Sequence, residues 1–71
     1  MTAGLMPHEL RVVHEKNELD ERLAKLNSFI AGEAFAKLDW EDSKLLVRQS
    51  GLMTQLQGVL ADRIARFSAK K

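Results

Sequence analysis

Cysteine is absent from all 71 residues, which excludes disulfide stapling and the commonest zinc sites. Neither charge sign dominates: 11 Lys and Arg stand against 10 Asp and Glu, for a net charge of +1. A near balance argues against a general nucleic-acid field, which needs a strongly basic face. No apolar run approaches the roughly 20 residues that a bilayer crossing needs. The opening MTAGLMPHEL has neither the basic n-region nor the apolar h-region of a signal peptide, so a cytosolic protein is expected. Internal repeats, low-complexity tracts and β-alternation are lacking too. So are a Gly-rich phosphate loop after a strand, a Ser-His-Asp order and any zinc spacing. His14 and Glu18 stand four apart, yet no second ligand pair accompanies them and His8 is six residues away, so the pair reads as a surface ion pair. A chain this short has no room for a deep cleft. No enzyme, cofactor or metal is expected.

Apolar residues make up 45% of the chain and charged residues 30%, a composition that folds. Residues 12–30, VVHEKNELDERLAKLNSFI, organise the rest. Val12, Leu19, Leu23, Leu26 and Ile30 fall on one stripe of an α-helix, and Phe29 widens it. The single proline, Pro7, suits the first turn of that helix, where its missing N–H costs nothing. Residues 1–6 are expected to fray. Glu18 to Arg22 and Glu21 to Lys25 are acid-first i,i+4 pairs that mark a solvated flank. Lys16 interrupts the stripe, either as a register device or as a long stem snorkelling to water.

Gly32 marks the end of the first helix as a C′ residue. A connector follows over residues 32–39, with a helical turn in EAFAKL. Asp39 and Asp42 then open a second helix. Phe35, Leu38 and Trp40 are expected to close this end of the hairpin. The reading is all-α: one domain over residues 1–71, an antiparallel two-helix hairpin with helices over about 8–31 and 40–67. The second helix carries nearly three apolar residues per heptad, more than one facing helix needs. Gly51, Gly58 and Ala65 recur every seven residues along one seam, where something can approach the backbone closely. Since a chain of this length rarely draws enough stability from one core, a homo-oligomer is expected, of a number that length does not set. Its contact is placed at Leu52, Met53 and Leu60 with Gly51 and Gly58.

An antiparallel hairpin brings His8, Arg11 and His14 near Arg63, Arg66, Lys70 and Lys71. The planar forks of Arg63 and Arg66 match phosphate geometry. Cations also favour a helix C-terminus through its dipole, which is an equally simple reason for this cluster. Lys25 lies roughly 20 Å from Arg11 along the helix, at about 1.5 Å per residue. One protomer therefore cannot bring both ends to one small ligand; two protomers side by side can.

The run R-V-V-x-E-K-x-E-L-D-x-R-L-x-K-L-x-x-F-I, the connector Phe35-Ala-Lys-Leu38 and the terminal L-x-x-R-I-A-x-F, over about residues 11–67, resemble small phage and prophage helical-hairpin proteins. That family is similar to the anti-CBASS sponges, which share a hairpin domain with Thoeris-inhibiting sponges. The resemblance implies an assembly, typically a hexamer, that sequesters cyclic di- and trinucleotide immune signals in the host bacterial cytosol without cleaving them. It implies that Lys25 holds a phosphate, that Arg66 is a second anion contact and that Asn27 offers main-chain or amide contacts. Sponges of this type stack a base on an aromatic near the start of the first helix. Here that region reads HELRVVH, leaving His8, His14 or the flat face of Arg11. The alternatives are a structural or protein-interaction hairpin of a phage with no nucleotide ligand and, more remotely, nucleic-acid binding through Arg63, Arg66, Lys70 and Lys71.

Overall fold

A computed structural model describes residues 4–69, the side chain of Ser68 apart. Residues 1–3 of the expected frayed start, and Lys70 and Lys71 of the expected basic end, lie outside the described residues. The described part is all α-helix: α1 over Pro7–Ile30, α2 over Glu33–Ala36 and α3 over Trp40–Ala69. None of these helices is long and apolar enough to cross a membrane.

The start of each long helix is explained by a carboxylate. Met6 occupies the N-cap of α1 without a side-chain cap of its own, and Pro7 takes the first helical position. Glu9 supplies the missing acceptor, its Oε1 receiving the Met6 N–H at 2.8 Å. At α3, Asp39 Oδ1 accepts from the Asp42 N–H at 3.0 Å, and the Ser43 hydroxyl donates to the Asp39 carbonyl at 3.0 Å. The acids Glu41 and Asp42 sit at the positive end of the dipole. The junction after α1 departs from the glycine-capped stop. Gly32 has φ −93° and ψ 175°, an extended conformation open to any residue, and it serves as the N-cap of α2. Ala31 closes α1 in the right-handed region instead, donating its N–H to Asn27.

α1 and α3 pack antiparallel over most of their length, and two hydrogen bonds fix how. Gln57 Nε2 donates to Asp20 Oδ1 at 2.6 Å and Ser50 Oγ donates to Asn27 Oδ1 at 2.7 Å. Both pairs of numbers add to 77, so residue n of α1 lies level with residue 77 − n of α3. Lys16 completes this ladder: its ammonium meets Asp20 Oδ2 at 2.9 Å, so the residue that interrupts the apolar stripe holds the carboxylate that reaches across to α3. The outcome favours the register reading of Lys16 over a stem that merely snorkels to water.

The core is narrow. Val12 and Leu19 of α1 meet Leu60 of α3, with Met53, Ile64 and Phe67 packed against them, and Leu23 of α1 is buried as well. Leu60, expected at a subunit contact, is only 1% exposed and is the most completely buried side chain described. Met53, expected beside it, packs on the same core. Met53, Leu60 and Phe67 are seven apart and form the row of α3 that faces α1. That row belongs to the hairpin itself, which corrects the placement of both residues in the subunit contact. Leu52 remains outside it. Among the described residues four large apolar side chains are buried and eight are exposed, so the molecule, a rod of 49 × 16 × 15 Å, leaves much of its apolar surface unpartnered.

Truncating Leu60 to alanine removes the centre of this core and is expected to lower the unfolding free energy by about 2–5 kcal/mol in a urea titration. Asp20 yields a pH signature. The Gln57 amide and then the Lys16 ammonium hold its carboxyl below the usual value of 3.8, against a smaller opposing effect of burial. A depressed folded-state value means that the contribution is complete above about pH 4 and is lost as pH falls through the lower folded value. The stability difference between the natural chain and Asp20→Asn, measured by urea midpoints, should therefore be present at pH 7 and shrink below pH 4. An unchanged difference at pH 2 would show that the charge contributes nothing.

Candidate functional site

Register arithmetic gathers the basic residues of one end. Arg66 lies level with Arg11 and Arg63 level with His14, because each pair adds to 77. All four are exposed, as is His8 one turn before them. Arg66 stands in the last turn of α3, where the helix dipole favours a cation on its own account. Glu9, Glu15 and Asp62 are the acids nearest in sequence.

Lys25 is elsewhere. It is exposed and lies level with Leu52, fourteen residues from Arg11 and so about 21 Å away along the axis. Of the two acid-first pairs expected on α1, Glu18 and Arg22 approach to 3.6 Å, whereas Glu21 and Lys25 form no ion pair among the described residues. Lys25 therefore keeps its charge available. Asn27 does not accompany it. Two residues on, a helix has turned about 200°, and Asn27 faces the opposite flank, where its Oδ1 accepts from Ser50.

The hairpin thus has two unlike flanks. One carries the ladder of Lys16, Asp20, Gln57, Asn27 and Ser50. On the other, Arg11, Glu15, Glu18 and Arg22 line a shallow groove of about 330 Å³ floored by Leu19 and edged by Leu56. Arg63, Arg66 and Lys25 fall on this second flank by helical phase, at about 60–120° from the core rows.

Trp40 departs from the sequence reading. It is 71% exposed and does not close the hairpin end. That end is closed by Phe29 and Phe35, whose rings meet edge to face at 6.5 Å and 88°, with Leu38 half-buried. Trp40 instead forms a second cleft of about 330 Å³ with Phe35, Ser43, Lys44 and Val47, and the Lys44 ammonium sits 5.9 Å from its ring centre. The signal was present in the numbering: Trp40 stands about 160° around α3 from Leu60. Gly51 and Gly58 lie on this same back face, and a Cβ built on either meets nothing within 4 Å.

A family description, Sequestin, matches residues 6–66. The chain belongs to the Sequestin family. Among curated proteins none matches, and none does among solved structures. The Sequestin match begins at the N-cap of α1 and runs through α2 to Arg66, so it takes in the hairpin together with Lys25 and the basic end. Membership agrees with the resemblance read from the K-L-x-x-F-I and R-I-A-x-F segments, a small sponge-like family. The family name denotes sequestration of a ligand, a role without catalysis.

The open surroundings of the two glycines in the Sequestin hairpin carry a prediction. Gly51→Ala and Gly58→Ala are each expected to stabilise the fold by about 0.5–1 kcal/mol, because alanine is the better helix former and its methyl enters open space. Urea unfolding reads the sign. Destabilisation by either change would mean that another backbone is seated against this seam.

Proposed function

We propose that the chain is a non-enzymatic, homo-oligomeric sponge of phage or prophage origin. It binds cyclic di- or trinucleotides in the host bacterial cytosol and withholds them from a nucleotide-triggered anti-phage defence. The observation that carries this reading is the unpaired, exposed Lys25 on the same flank as Arg63 and Arg66, in a chain of a family named for sequestration. Lys25 and Arg66 each hold a phosphate; Arg11, Arg63 and His8 add positive charge at the open end, and the ligand lies between protomers. Asn27 contributes to the site through the helix it braces, since its side-chain oxygen is already engaged by Ser50. Such a site needs no deep pocket, because it is completed by assembly.

One observation favours a second reading, a hairpin that binds a protein partner. The Trp40 cleft is apolar and lies away from every cation assigned to the nucleotide. In that case the basic end is a helix-dipole device, and nucleotides do not bind.

Isothermal titration against a panel of cyclic di- and trinucleotides separates the two. Heat is expected at protein concentrations near 100 μM, which suffices for any binding stronger than roughly −5.5 kcal/mol. Silence across the panel would remove the sponge reading. Lys25→Ala and Arg66→Ala are each expected to weaken binding at least ten-fold while light scattering shows an unchanged oligomer; undiminished affinity in both would remove the site assignment.

A further inference from the structure

Trp40 has no part in the site assigned to Lys25 and Arg66. Along α3 it stands twelve residues from the level of Lys25 and twenty-six from Arg66, about 18 and 39 Å. The hairpin core gives this indole nothing to do, since 71% of it is exposed. Its surroundings are nevertheless organised. Phe35, half-buried and held edge to face by Phe29, lines one cleft from α2, and Trp40 and Val47 line it from α3. At about 330 Å³ that cleft is near the lower end of the roughly 300–1,000 Å³ found for small-ligand sites, room for one flat heterocycle.

Cations follow the rings. Lys44 and Arg48 stand one and two turns beyond Trp40, each step of four residues advancing about 6 Å and turning about 40°. The Lys44 ammonium is 5.9 Å from the centre of the indole. Both cations are exposed, and neither forms an ion pair among the described residues. The acids of this end are engaged or turned aside. Asp39 accepts the Asp42 N–H at the helix cap, and Asp42 itself stands about 160° around α3 from Trp40. Glu41 is the acid of α3 nearest the row, about 60° round from Lys44.

We propose that this row is a second ligand site, which takes a nucleoside diphosphate with its base against the Trp40 and Phe35 rings and its phosphates at Lys44 and Arg48. Every base has a π-face, so stacking on an aromatic sets the class of ligand and not the base. A ribose places its 5′-phosphate about one helical turn from the base, and a second phosphate reaches toward the next turn. That is the order in which Lys44 and Arg48 follow the ring. An apolar side chain of a protein partner would fill the cleft but leave both cations unused, so charge complementarity decides for the nucleotide. A cyclic dinucleotide presents the same joined base and phosphate, which makes it the second source to separate by experiment.

Trp40 is the only tryptophan and the chain has no tyrosine, so indole emission reads this site in the full chain. ADP is expected to quench it saturably, with half-saturation below about 1 mM; AMP should need several-fold more, and adenosine more again. The double variant Lys44→Ala, Arg48→Ala changes exposed helix positions where alanine is well tolerated. It is expected to weaken ADP at least ten-fold and to leave adenosine unchanged, while Glu41→Gln tightens ADP. Lys25→Ala and Arg66→Ala should alter nothing at Trp40, so failure here and failure of the sponge site are read separately. If a cyclic dinucleotide quenches Trp40 in the Lys25→Ala variant, and less so once Lys44 and Arg48 are removed, the cyclic ligand is a source; if ADP alone does so, the source is free nucleotide. No saturable quenching by either would overturn the proposal. So would equal quenching by ADP and adenosine that ignores the two cations, because the cleft would then be an apolar seat of the kind a protein partner uses.

Discussion

The hydrogen bonds from Gln57 to Asp20 and from Ser50 to Asn27 are the constraint on which the rest of the hairpin depends. Apolar contacts alone leave the register degenerate. Met53, Leu60 and Phe67 repeat every seven residues, so sliding α3 by one heptad would replace one apolar partner of Val12 and Leu19 with another of similar size. Polar side chains at two levels tell the slides apart. One heptad shift sets the Asp20 carboxylate against Ile64, which offers it no donor; the other sets Asp20 against Ser50, a shorter hydroxyl in place of the Gln57 amide, and Asn27 against Ser43. The ladder thus favours the observed register, the use best attested for polar groups in helical seams.

The ladder lies along one edge of the contact, and this has a structural price. Leu60 and its neighbours form a core only one row wide on each helix, so the apolar residues of α3 that lie off the row have no place inside. They divide by phase. Leu45, Leu52, Leu56 and Val59 go to the flank across from the ladder, and Trp40 and Val47 go to the back. A chain of this length gains little from a core so thin, and the flank row is continuous with the core through Leu19 and Leu56. A subunit contact on that flank would extend the hairpin's own packing, whereas one on the back would build a separate surface around Trp40.

The all-α hairpin, the Asp39 cap and the role of Val12, Leu19 and Leu23 were legible in the sequence because each rests on spacing within a single helix. Three features were not. Leu60 and Met53 were assigned outward although they point inward, since periodicity gives the angles between rows on α3 but not which row is turned toward α1. Trp40 was assigned inward on chemical type, although its phase sets it about 160° from Leu60 and it is exposed. Asn27 was grouped with Lys25 because they are neighbours in sequence, and a step of two residues puts them on opposite flanks. In the first case the missing quantity was the rotation of one helix relative to the other; the other two were within reach of helical phase. The Asp20 to Gln57 pair determines that rotation, and a contact across 37 residues is invisible to a local reading.

The charge pattern follows the same division. The chain is nearly neutral, with a net charge of +1, yet neutrality hides sorting: Asp20 and Lys16 neutralise each other on the ladder flank, while Lys25, Arg63 and Arg66 stand on the open flank with their charges available. A small anion is attracted there over only about 8 Å at cellular ionic strength. On the proposed reading the ligand binds the assembled form and not the separate hairpin, and mass action would then make it a stabiliser of the assembly, by RT ln(1 + [L]/Kd) per site. Capture and assembly then reinforce each other: a sponge of this kind holds its ligand most tightly where the chain is most abundant, without any lid or catalytic step.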